Sequence, residues 1–83
     1  MRFNEWKTLT AYKLVKLSEK YKDDKKKQQT IDVLITRLHY LRSRDLGSFL
    51  ILLYHGVQDI PELKEILPDE ESLKEMMLNQ DEE

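Results

Sequence analysis

The chain has 83 residues, 40% of them hydrophobic and 36% charged, and no cysteine. A chain of this size forms one small domain that removes only about 60 to 65% of its unfolded surface from water, and without cysteine neither disulfides nor thiolate metal sites can staple it. The net charge of −2 conceals a segregation: residues 1 to 44 carry twelve Lys/Arg against five Asp/Glu, and residues 45 to 83 carry two against eleven.

Both glycines and both prolines fall after residue 46, so the first 45 residues read as two long helices. Asn4 is the expected cap of the first, with Glu5 in its opening turn. Phe3, Trp6, Thr10, Leu14, Leu17 and Tyr21 share one stripe, which predicts an amphipathic helix over about 4 to 22. Leu9, Tyr12 and Val15 fall outside the stripe and imply a second contact surface. The apolar-free segment Lys22 to Gln29 places a chain reversal near Asp23-Asp24, either of which can cap helix two. There Ile31, Leu34, Ile35, Leu38 and Leu41 form a clear helical face, ending near Arg42 to Arg44.

Asp45 is the expected cap of a third helix, over about 45 to 55, with Gly56 closing it in left-handed geometry. Its apolar residues Leu46 and Phe49 to Tyr54 point all round the axis, so this helix is expected at the centre of the fold with no solvent face. A buried strand is the competing reading, and no second strand exists to pair with it. Asp59-Ile60-Pro61-Glu62 joins an Asp cap, a first-turn proline and a capping-box glutamate, predicting a short helix over about 60 to 66. Pro68 opens a last element, with Asp69, Glu70 and Glu71 in its first turn and Leu73, Met76 and Met77 as its apolar face. The expectation is an all-α domain over 1 to 78, a compact bundle of four or five helices, followed by an acidic disordered tail at 79 to 83.

The opening residues Met1 to Lys7 hold no apolar stretch of signal-peptide type, and the longest apolar run, Phe49 to Tyr54, is far short of the roughly 20 residues of a membrane-spanning helix. A soluble, cytoplasmic protein is expected. His39 and His55 stand sixteen positions apart without HExxH or cysteine spacing, a poor metal signal. Clustered acids such as Glu62 with Glu65, or Asp69 to Glu71, belong to helix first turns or outer faces, where they are ordinarily solvated, and no nucleophile or phosphate-loop motif accompanies them. No enzymatic activity, cofactor, metal or small-molecule substrate is expected.

Lys26, Thr30, Val33, Arg37, Tyr40 and Arg44 form a second stripe on helix two that can meet phosphates or stack on a base. The preferred reading is a third packing surface, with Val33 and Tyr40 buried and the Arg heads snorkelling to solvent. A helix-turn-helix is disfavoured because helix three offers Leu, Phe and Ile where a recognition helix needs polar groups. Mimicry of phosphate charge by the acidic C-terminal residues is a weak third reading. The expected function is therefore protein–protein interaction or regulation through helical surfaces, with self-association as a homodimer. Nucleic-acid or nucleoprotein binding through the two basic helices is the alternative. The candidate anchors are Trp6, Leu9, Tyr12, Val33 and Tyr40, with Arg37, Arg42 and Arg44 attracting an acidic patch. The charge split then acts as an orientation device, within one chain or between two.

Overall fold

The computed structural model describes residues 2 to 78; the acidic tail expected at 79 to 83 lies outside the described residues. Among the described residues four α-helices follow one another, α1 (Phe3–Lys20), α2 (Lys25–His39), α3 (Leu46–Gly56) and α4 (Glu70–Leu78), with 3₁₀ turns at Ser43–Asp45 and Pro61–Glu65. The domain is all-α, as the hydrophobic periodicity predicts, and no strand occurs among the described residues.

Helix α1 begins one residue earlier than expected and ends two earlier. Arg2, with extended backbone, precedes it, and no side chain caps it. Asn4 therefore lies inside the first turn, where its carbonyl accepts from the Thr8 hydroxyl. Burial of Phe3 sets this start, because the ring must already be on the helical stripe to reach the core. Phe3, Trp6, Thr10 and Leu14 are buried along that stripe, with Leu17 and Tyr21 packed at its margin.

The chain reverses over Tyr21–Asp23, and Asp24 caps α2 by accepting from the Lys27 amide at 3.2 Å. The Lys7 ammonium reaches the Leu41 carbonyl at 2.8 Å, and the Ser18 hydroxyl reaches Gln28 Oε1 at 3.2 Å. These contacts join opposite ends of the two helices, so α1 and α2 are antiparallel. Ile31, Leu34 and Leu38 form the buried face of α2. The helix stops at His39, short of the expected Arg42 to Arg44; Leu41 is buried beyond its end, and a 3₁₀ turn carries the chain into α3.

Helix α3 departs most from expectation. Leu46, Phe49, Leu53 and Gly56 face the core, while Ile51 and Tyr54 are 60% and 70% exposed. It is central on one side only, because so short a chain has too few elements to cover both. Asp45 precedes it without a side-chain cap bond; its carboxylate stands 3.9 Å from the Arg44 Nε instead.

Gly56 is not a left-handed cap, since no glycine has positive φ. It is small because α3 passes close to the next segment: a Cβ there would stand 2.7 Å from Leu63 Cδ1, and Leu63 is fully enclosed. Gly56→Ala is expected to lower stability by about 1 kcal/mol, the overpacking cost exceeding the gain in helix propensity. Chemical denaturation checks this, and an unchanged midpoint would contradict it.

Residues Pro61–Glu65 form a 3₁₀ turn rather than an α-helix, with Ile60 at its cap position and no side-chain cap bond. Asp59 is thus not the cap, and Glu62 is engaged elsewhere. In α4, Asp69 accepts from the Ser72 amide at 2.7 Å, closing the first turn. Met76 is fully buried and Leu73 is packed at the core margin, whereas Met77 is exposed. The helix packs against the Ser43–Asp45 turn, and the Trp6 indole donates to the Ile66 carbonyl at 3.1 Å, holding the segment before α4 against α1.

Candidate functional site

The expected partner-binding residues occupy three environments. Trp6 is in the core: only 4% exposed, it meets the Phe49 ring edge-on at 6.0 Å and lies 6.3 Å from the Phe3 ring. It is corrected from surface anchor to core residue, since its place on the α1 stripe and its buried hydrogen bond take the whole side chain. Leu9 and Tyr12 stand exposed on the outer side of α1, with the Lys16 ammonium 5.0 Å from the Tyr12 ring centroid.

The remaining residues converge. Val33 and Arg37 are exposed on α2, Tyr40 stands 77% exposed just past its end, and Arg42 and Arg44 follow in the link to α3. The expected burial of Val33 and Tyr40 as a packing surface does not occur. Helices α1 and α3 both pack against α2, and among the described residues nothing buries Val33 or Tyr40.

Between the C-terminal half of α2 and the start of α3 runs an open groove of about 440 Å³, lined by Thr36, Arg37, Tyr40 and Leu41 on one side and by Asp45, Ser48, Phe49 and Leu52 on the other. A shallower depression along Gln29, Val33, Thr36 and Arg37 shares Thr36 and Arg37 with it, so the surface continues up α2. On α3, residues at helical spacing put Ser48, Ile51 and His55 on one outer side, with Tyr54 beside Ile51. The groove thus has an apolar floor with Tyr40, Arg37 and Asp45 in its lining, and Ile51 stands exposed beside its Ser48 edge while Tyr54 lies further round α3. Sequence periodicity found the α2 part. It missed Ile51 and Tyr54, because every α3 position read as core.

His39 is exposed and meets the neighbouring Tyr40 ring edge-on at 4.9 Å. No group of three or more His, Cys, Asp or Glu side chains suited to a metal ion occurs among the described residues, and no described helix is long and apolar enough to cross a membrane.

One polar cluster escapes sequence reading altogether. The Glu62 carboxylate accepts from the Lys20 ammonium at 2.6 Å and from the Tyr21 hydroxyl at 2.5 Å, fastening the Pro61 turn to the end of α1. Lys20, and then Tyr21, hold the Glu62 carboxyl down to about 2, and the same contacts raise both partners. A carboxyl depressed in the folded state adds stability above its ordinary pKa, and that stability is lost as pH falls. Wild type is therefore expected to lose a stability increment between about pH 4.5 and 2 that Glu62→Gln lacks. Parallel melting curves across that window check it; equal pH slopes for the two proteins would contradict the clamp.

Comparison with protein-family models, curated proteins and solved structures found no match to this chain.

Proposed function

We propose that the chain is a small, non-catalytic, cytoplasmic protein-binding module whose docking surface is the α2–α3 face. The observation that carries this reading is an open groove with exposed Tyr40 and Arg37 in its lining and Ile51 exposed one helical turn from its Ser48 edge. Scattered apolar residues on a surface are ordinary, but large side chains gathered beside an apolar groove mark an interaction surface. Tyrosine and arginine are the residue types that most often dominate binding energy when a partner excludes water from them. The groove suits a segment with two or three apolar anchors and a carboxylate to meet Arg37, which has no ion-pair partner among the described residues.

The test is affinity capture from the native host with wild type, Tyr40→Glu and Ile51→Glu. Both positions are mostly solvent-exposed, so melting temperatures are expected to stay close to wild type while captured protein is lost. Capture unchanged in both variants would place the binding surface elsewhere.

A second reading is favoured by one observation. Tyr40 stands in solvent with Arg37 and Arg44 exposed nearby in sequence, a basic-aromatic surface of the kind that stacks on unpaired bases. Against it, Asp45 lies beside Arg44 and the second half of the chain is acidic. Titration with single- and double-stranded DNA and RNA at two salt concentrations separates the readings. Binding at low salt that Arg37→Glu abolishes would support nucleic acid; no binding at low salt would exclude it as the main activity.

A further inference from the structure

Resting on the reading of the α2–α3 face as a docking surface, we propose that its occupant is the exposed end of α4 from a second copy of the chain. Three features of α4 point there. Met76 is fully buried and anchors the helix, yet the next two residues, Met77 and Leu78, are 54% and 85% exposed. Two consecutive large apolar side chains thus stand in solvent at the end of a helix fixed to the body. Neither side chain lines the groove of its own chain, which leaves both free to meet the groove of a second copy.

The second feature is fit. A groove of about 440 Å³ with an apolar floor of Leu41, Phe49 and Leu52 has room for two or three side chains of this size. Methionine suits such a contact, since its unbranched side chain adapts to an irregular surface.

The third is charge. Arg37 and Arg42 have no ion-pair partner among the described residues. Helix α4 carries Glu70 and Glu71, and Asp81-Glu82-Glu83 follow it in sequence. The ion pairs of Lys27, Arg44 and Lys74 are local, and Lys20 joins the two halves within the chain through Glu62, so Arg37 and Arg42 are the arginines left to meet acids of a second copy. Docking α4 of one copy beside the arginines of another joins them twice.

Each copy owns one groove and one α4 end, so two reciprocal contacts close the assembly as a two-fold dimer. The charge split orients the copies, and the apolar anchors hold them. Salt then slows assembly and weakens it without abolishing it.

The experiment is sedimentation velocity on the full chain over a wide concentration range, with Tyr40→Glu and Leu78→Glu as variants. Both positions are more than three-quarters exposed, and thermal melts confirm that the variants fold. Wild type is expected to dimerise, and each variant to weaken dimerisation by at least roughly tenfold. An equimolar mixture of the two variants is expected to form a heterodimer, because one supplies an intact α4 end and the other an intact groove. A wild type that stays monomeric, a dimer indifferent to Leu78→Glu, or a mixture that fails to pair overturns the proposal. If the wild type is monomeric but still captures another protein through Tyr40, self-docking fails while the docking-face reading stands. If Tyr40→Glu changes neither self-association nor capture, both fail.

Discussion

Replacing Trp6 with alanine is expected to destabilise the fold by about 3 to 5 kcal/mol, the range for removing a large aromatic from a core. A domain of this length has a total stability of roughly 4 to 12 kcal/mol, so the variant is expected to be largely unfolded or to melt more than about 10 °C lower. Several losses coincide at this one residue. The indole fills the space between Phe3 and Phe49, and its N–H satisfies the buried Ile66 carbonyl. Trp6→Phe separates the two contributions. It keeps most of the packing but leaves that carbonyl without its partner, at a cost of about 1 to 3 kcal/mol. Urea denaturation followed by circular dichroism measures both, and a Trp6→Phe variant as damaged as Trp6→Ala would show that the hydrogen bond, not the packing, dominates.

The second large effect lies within α3 and is a contrast. Leu53→Ala is expected to cost about 2 to 5 kcal/mol, because Leu53 is fully enclosed and its removal leaves a cavity. Ile51→Ala, two residues earlier in the same apolar run, is expected to change stability by less than about 0.5 kcal/mol at protein concentrations low enough to keep the chain monomeric. The two side chains differ little in size or hydrophobicity, so the difference reports only which side of α3 is covered. Comparable losses at both positions would mean that a neighbouring element or a second subunit covers Ile51. Repeating the measurement at high and low protein concentration tells these apart, since only a subunit contact depends on concentration.

Much of the fold was legible because it follows from local rules. The Asp24 cap and the α1 stripe of Phe3, Trp6, Thr10 and Leu14 each depend on residues within a few positions of one another. What failed depends on neighbours in space. The apolar run Phe49 to Tyr54 shows that α3 can be buried on every side, but the number of elements available to cover it is a property of the whole chain. Gly56 lies where a helix ends, as expected, yet its smallness answers to Leu63, seven residues on and brought back by the turn between. The Glu62 clamp joins residues 41 and 42 positions apart, and no local pattern announces it.

The candidate face divides in the same way. Val33, Arg37 and Tyr40 were grouped correctly by helical spacing, but spacing does not say whether a stripe meets protein or solvent. Trp6 could be read both as a core residue and as an anchor, and its buried hydrogen bond decides for the core. The charge segregation is visible without any structure. Its meaning changes once Arg37 and Arg42 are seen without ion-pair partners among the described residues, Arg37 in the lining of a groove that the α4 end of another copy can fill.

On the proposed reading, the α2–α3 face, rather than the outer side of α1, meets the partner. The most direct test is site-specific photo-crosslinking in the native host, with the reactive group placed in turn at Tyr40, Ile51 and Tyr12. The expected result is protein adducts, whether to a second copy or to another protein, from Tyr40 and Ile51 and none from Tyr12. Adducts from Tyr12 alone, or adducts to nucleic acid from Tyr40, would contradict it.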